Sequence, residues 1–113
     1  MDFWQRLEAL VKQSGYTIDR PKDSSHPKFS EIVYPLDYGY LKDTKGGDGE
    51  GIDIWIGSAH EERVEGAIMT VDSFKKDAEV KILYKCTPAE MRMVASFHSV
   101  NQQSAMLVLR NDS

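Results

Sequence analysis

Tyr34–Ile56 reads Y-P-L-D-Y-G-Y-L-K-D-T-K-G-G-D-G-E-G-I-D-I-W-I, passing from turn to strand, through a glycine-rich loop, and into a second strand. The loop closes on Asp48-Gly49-Glu50-Gly51-Ile52-Asp53, three carboxylates in six residues. Carboxylates about 5 Å apart at an effective dielectric near 20 repel by roughly 3 kcal/mol per pair, so a turn that gathers them needs a counter-charge. A hard divalent cation such as Mg²⁺ meets that need with oxygen ligands and keeps waters that a phosphate can share or displace. The residues alone therefore point to phosphate chemistry, with a solvated Gly/Asp turn as the plain alternative. Asp53 is the sharpest of the three: it sits between Ile52 and Ile54, where an unpaired carboxylate is costly.

Outward from this stretch, the hydrophobic period assigns the other elements. Residues 2–14 predict a helix capped by Asp2, with Phe3, Leu7, Leu10 and Val11 on one face and Gly15 just past its end. Residues 19–28, with two prolines and many polar side chains, predict an irregular loop. Strands are expected over 52–57, 64–71 and 77–84, the last placing Asp77, Glu79 and Lys81 on one face and Val80 and Ile82 on the other. Helix is the competing assignment for 77–84. Thr87-Pro88-Ala89-Glu90 is a helix start with cap, Pro and Glu in agreement, and that helix should run to about His98. Ala105–Arg110 is expected as a short buried strand, and Met91, Met93 and Met106 as core padding.

The 113 residues suit one domain, with 41% hydrophobic and 28% charged residues as in an ordinary soluble chain. The amphipathic N-terminal segment does not read as a leader, and no apolar run nears the roughly 18 residues that span a membrane. A lone Cys86 excludes an internal disulfide and reads as a small buried filler in a reducing compartment. Net charge −4 without a basic block argues against nucleic acid as partner. A soluble, cytoplasmic protein is expected. His98, at a helix end, reads as a cation favoured by the dipole, and His60 as a surface residue.

The segment Tyr34-Pro35-Leu36-Asp37-Tyr38-Gly39-Tyr40, followed by Asp48 to Asp53 and then by Asp72 and Asp77, resembles the soluble family I inorganic pyrophosphatases. That family carries a Y-P-x-x-Y-G segment, a D-G-D-P-x-D signature and a later aspartate pair, and the match covers roughly residues 34–83. The resemblance implies a single pyrophosphatase-like domain of α+β class: a small OB-like mixed or antiparallel β-barrel with an N-terminal and a C-terminal helix packed outside. It implies Mg²⁺-dependent hydrolysis of pyrophosphate, with Asp48, Glu50, Asp53, Asp72 and Asp77 as metal ligands. Glu50 would help generate the nucleophilic hydroxide, and Tyr38 would lie near metal and phosphate. Other divalent cations and homo-oligomers are compatible with it. Two metal ions flanked by carboxylates suit such a reaction, because they activate water and spread the charge of the transferred phosphoryl group.

This chain departs from the family pattern in several places. Glu50 and Gly51 stand where the family has Asp and Pro, and Glu79 stands at a family lysine. Lys81, two further along the same strand face, is the candidate substitute. Early strands with pocket-lining charges have no counterpart, and Ser99-Val100-Asn101 replaces a Tyr-Lys pair. Arg20, Lys22, His26 and Lys28 are set to meet phosphate oxygens if their loop folds over the acidic pocket. Asp37 reads as structural. Two alternatives stay open: a phosphohydrolase acting on another diphosphate or a nucleotide, and a non-catalytic metal- or phosphate-binding module.

Overall fold

The 3.6-residue apolar spacing of residues 3–14 gives α1 (Phe3–Ser14), closed at its start by reciprocal bonds. Asp2 Oδ1 accepts from Gln5 N–H at 2.8 Å, and Gln5 Oε1 accepts from Asp2 N–H at 2.9 Å. Gly15, at φ 70°, ends it and donates its N–H to the Val11 carbonyl. The computed structural model describes residues 1–110. Six strands follow in the order β1 (Tyr16–Arg20), β2 (Asp37–Leu41), β3 (Asp53–Ile56), β4 (Val64–Asp72), β5 (Asp77–Tyr84) and β6 (Gln103–Leu109), with α2 (Pro88–Phe97) between the last two.

They form one mixed sheet in the spatial order β1-β2-β3-β5-β4-β6. The β3–β5 pair is parallel and the other ladders are antiparallel. The α+β class with a helix from each flank is as expected. The sheet is not closed into a barrel, because β1 and β6 stand at its two edges. Gly39 is required by the β1–β2 pairing: a Cβ there would overlap the carbonyl of Thr17.

Each face of the sheet carries its own core. On one, Leu41, Ile54, Ile56, Val64, Ile82 and Tyr84 pack with Val11, Leu7 and Leu10 of α1. On the other, Trp55, Ile68 and Leu83 pack with Met91 and Val94 of α2 and with Tyr34, Leu36 and Cys86. Glu8 ties α1 down by accepting from Val64 N–H at 2.8 Å and pairing with Arg110 at 3.1 Å.

Several sequence expectations are corrected. Residues 19–20 belong to β1, an element the polar 19–28 reading concealed. β6 is an edge strand of alternating exposure, not a buried one, since it pairs with β4 alone. Val80 and Phe3, each grouped by spacing with apolar neighbours, are themselves exposed. Met91 is core, but Met93 and Met106 lie at the surface. Cys86 is buried as expected, and burial pushes its thiol up to about 12.

Candidate functional site

Side chains alternate faces along a strand, so Asp77, Glu79 and Lys81 of β5 share the face of Leu83. Parallel pairing sets Asp53 of β3 directly beside Lys81, and antiparallel pairing sets Tyr38 of β2 beside Trp55. Three residues distant in sequence therefore meet on one face. The Lys81 ammonium donates to Asp53 Oδ2 at 2.7 Å, Tyr38 Oη at 2.8 Å and Glu79 Oε2 at 2.9 Å. A lysine has three N–H donors, and here each has an acceptor.

Lys81 is 4% exposed, and such burial disfavours a charged amine. The Tyr38 oxygen and the Asp53 carboxylate outweigh that penalty and raise its pKa, so it stays an ammonium. Tyr38 is raised by burial first, with Lys81 opposing and Asp53 adding, so it stays a neutral phenol. Glu79 is raised, by burial first, against the pull of Lys81.

The acidic loop forms the rim of this cluster. Asp48 Oδ1 accepts from Glu50 N–H at 2.9 Å, which holds the Asp48 carboxyl below the usual range, and a hydrogen bond with Glu79 adds to that. Glu50 is exposed, with its backbone carbonyl accepting from Gly46 N–H. Asp72 and Asp77 face each other across the β4–β5 ladder. They lie four strand residues from Lys81, roughly 13 Å along β5. Asp72 Oδ1 accepts from the N–H groups of Phe74 and Lys75 at 3.0 Å each, which shapes the connecting turn. The five acidic residues thus fall into two sets, Asp72 and Asp77 at the start of β5 and Asp48, Glu50 and Asp53 nearer its middle, where Asp53 pairs with Lys81.

A cleft of about 620 Å³ runs from Asp72 and Asp77 to Glu79, Lys81 and Tyr38; Asp48, Glu50 and Asp53 are not among its lining residues. Residues 24–34 fold over it as a small hairpin of their own, with Ser25 bridged to Val33 and His26 N–H bonded to the Ile32 carbonyl. His26 and Phe29 from this loop line the cleft; Arg20, Lys22 and Lys28 are not among its lining residues. Arg20 instead lies on β1 opposite Tyr38, and Lys28 is exposed. Glu31, Asp72, Asp77 and Glu79 outnumber Lys75 and Lys81 among the lining residues, so the charge of the lining is net negative.

Asp37 has a structural part, since its Oδ1 accepts from Lys22 N–H at 2.8 Å. His98 corrects the reading of a dipole-stabilised cation. It is 6% exposed; its Nε2 accepts from the Trp55 indole N–H at 3.2 Å, and its Nδ1 lies 3.3 Å from Gln103 Oε1. Burial, aided by Lys81, lowers its pKa to about 4, and it is a neutral floor residue of the cleft.

The implied metal can be tested against these residues. Among the described residues, no three Asp, Glu, His or Cys side chains converge closely enough to hold an ion. At the end where Asp53 and Glu79 do converge, the ammonium sits between them. A unit charge about 4 Å from another of the same sign costs roughly 4 kcal/mol at a dielectric near 20, and a divalent ion doubles this. The residues as arranged do not fit a metal held beside Lys81.

Lys75 and Gln103 are cleft residues that sequence reasoning missed. The D-S-F-K-K-D turn signal could have found Lys75, because the turn sets its side chain beside the Asp72–Asp77 pair. Gln103 carries no local signal.

Comparison with known proteins places this geometry. An inorganic pyrophosphatase from Neisseria gonorrhoeae superposes with a TM-score of 0.65 at 13% identity, over 86% of this chain and 84% of that one. The fold is pyrophosphatase-like. An inorganic phosphatase from Anaplasma phagocytophilum is similar too, with a TM-score of 0.59, 16% identity, and coverage of 83% and 81%. No family model matches the sequence, and no curated protein matches it. Among the described residues, no helix is long and apolar enough to cross a membrane.

Proposed function

We propose that the cleft binds a diphosphate as its magnesium complex, pyrophosphate being the simplest, and hydrolyses it to two phosphates. The observation that carries this reading is the net negative cleft on a pyrophosphatase-like fold. A bare diphosphate would be repelled by Glu31, Asp72, Asp77 and Glu79, whereas a magnesium diphosphate presents its metal to them. Asp72, Asp77 and Lys75 all line the cleft, and in this reading the two carboxylates meet that metal and the ammonium meets a phosphate oxygen. Magnesium enters as part of the substrate. Glu50, expected to help generate the hydroxide, is not among the residues lining the cleft and takes no part in this reading.

The test is phosphate release from pyrophosphate while Mg²⁺ is raised from below to above equivalence. Release should follow the concentration of the magnesium complex and fall by about 100-fold or more in Asp72→Asn/Asp77→Asn protein. Carefully purified protein that releases no phosphate at any Mg²⁺ concentration ends the reading as a hydrolase.

A second reading is supported by the cleft's other half. Phe29, Ile32, Val33 and Phe97 form an apolar wall, and the volume lies within the roughly 300–1,000 Å³ typical of sites for organic ligands. That favours a diphosphate with an organic group, such as a nucleotide. A substrate panel in which pyrophosphate is turned over far faster than every ester would remove it.

A further inference from the structure

We propose that Lys81 is a built-in counter-cation: its ammonium takes the place of a divalent ion between Asp53 and Glu79, so this end of the cleft holds together without resident metal. The inference stands on the meeting of four side chains and does not rest on the diphosphate reading. Its first support is saturation. All three ammonium donors are used, on Asp53, Glu79 and Tyr38, at 2.7 to 2.9 Å. The second support is burial: the Lys81 side chain is 5% exposed, while Asp53 and Glu79 are 26% and 24% exposed. The cation is the innermost member, and the carboxylates close around it as ligands close around an ion.

The third support is placement. Lys81 rises from the strand that pairs in parallel with β3, so the ammonium reaches Asp53 from the adjacent strand. Glu79, two residues earlier on the same strand, reaches the ammonium from its own face and lies beside Asp48 of the rim. The acidic loop thereby adjoins the lysine's ligand shell. A consequence follows for the carboxylates. With the ammonium removed, Asp53 and Glu79 become a pair of carboxylates with no cation between them, and Mg²⁺ or Mn²⁺ is commonly held by one or two carboxylates with waters completing its shell.

The experiment uses the metal alone on wild-type, Lys81→Met and Asp53→Asn proteins. Thermal unfolding is followed with added Mg²⁺ or Mn²⁺, and Mn²⁺ binding is read directly by electron paramagnetic resonance. Wild-type protein should show no Asp53-dependent Mn²⁺ binding. Lys81→Met protein should melt lower without metal and recover about 5 °C or more when Mn²⁺ is in large excess over its dissociation constant. The added substitution Asp53→Asn should abolish that recovery.

Three results overturn the proposal: Mn²⁺ bound by wild-type protein and lost in Asp53→Asn, a Lys81→Met protein that melts as before and ignores metal, or one that stays unfolded at saturating Mn²⁺. Phosphate release is not a readout here. A protein that never turns over pyrophosphate still decides this question, and an active protein can still fail it.

Discussion

On one face of the sheet, Leu41, Ile54, Ile82 and Val64 are fully buried and meet α1 chiefly through apolar contact, with Glu8 of α1 adding a hydrogen bond from Val64 N–H. On the opposite face the same strands carry Trp55, Ile68 and Leu83 beside the charged Asp53, Glu79 and Lys81. The α1 face is stabilised by area removed from water, which is tolerant of detail. The α2 face must in addition satisfy every charge it covers, because a buried ion whose partner is removed costs far more than the pair contributes. The first face can lose a methylene group and adjust. The second depends on a few atoms at hydrogen-bonding distance.

Perturbations ranked by size sharpen that contrast. Trp55→Ala should be the most damaging, by about 3–5 kcal/mol in urea unfolding, because the ring fills the α2-side core and its N–H bonds His98. Leu41→Ala on the α1 face should cost about 2–4 kcal/mol. A Trp55→Ala loss smaller than that for Leu41→Ala would break the contrast.

Acid should come next. His98 has a folded pKa near 4 against an ordinary 6.5, so the unfolded chain binds its proton first as pH falls. The stability it contributes is fully present above pH 6.5 and is lost progressively down to about pH 4, amounting to about 3 kcal/mol. Chemical denaturation across that window should show this slope, and His98→Gln protein should lack it.

The pair at the centre of the cluster should show coupling. A cycle of Asp53→Asn, Lys81→Met and the double variant should give an interaction of about 1–3 kcal/mol, and additivity would argue that the 2.7 Å contact is incidental. Glu90→Ala removes the carboxylate that accepts from Thr87 N–H and from Ser58, and should cost about 1 kcal/mol. Lys12→Ala, which breaks a 4.0 Å pair with Glu8 on an exposed helix face, should change stability by less than about 0.5 kcal/mol.

Local chemistry made much of the fold readable. The Asp2–Gln5 and Thr87–Glu90 boxes, the proline at the start of α2 and the alternation of β3 and β5 each act within a few residues. β1 was not readable, because its five residues form a strand only by pairing with β2, where Gly39 leaves room for the Thr17 carbonyl. Met93 and Met106 misled for a related reason: which side of an amphipathic element meets the core is settled by its neighbour. In the site, Tyr38, Asp53 and Lys81 were visible as candidates, while the separation of Asp72 and Asp77 from Asp53 depends on strand register.

Density of charge, which any stretch of sequence displays, was enough to require a cation near Asp48 and Asp53, since like charges repel in whatever fold gathers them. Which cation answers that requirement was a tertiary decision. Only the parallel seating of β5 against β3 brings the Lys81 ammonium to Asp53, and a contact between residues 28 positions apart is set by nonlocal register rather than by local preference.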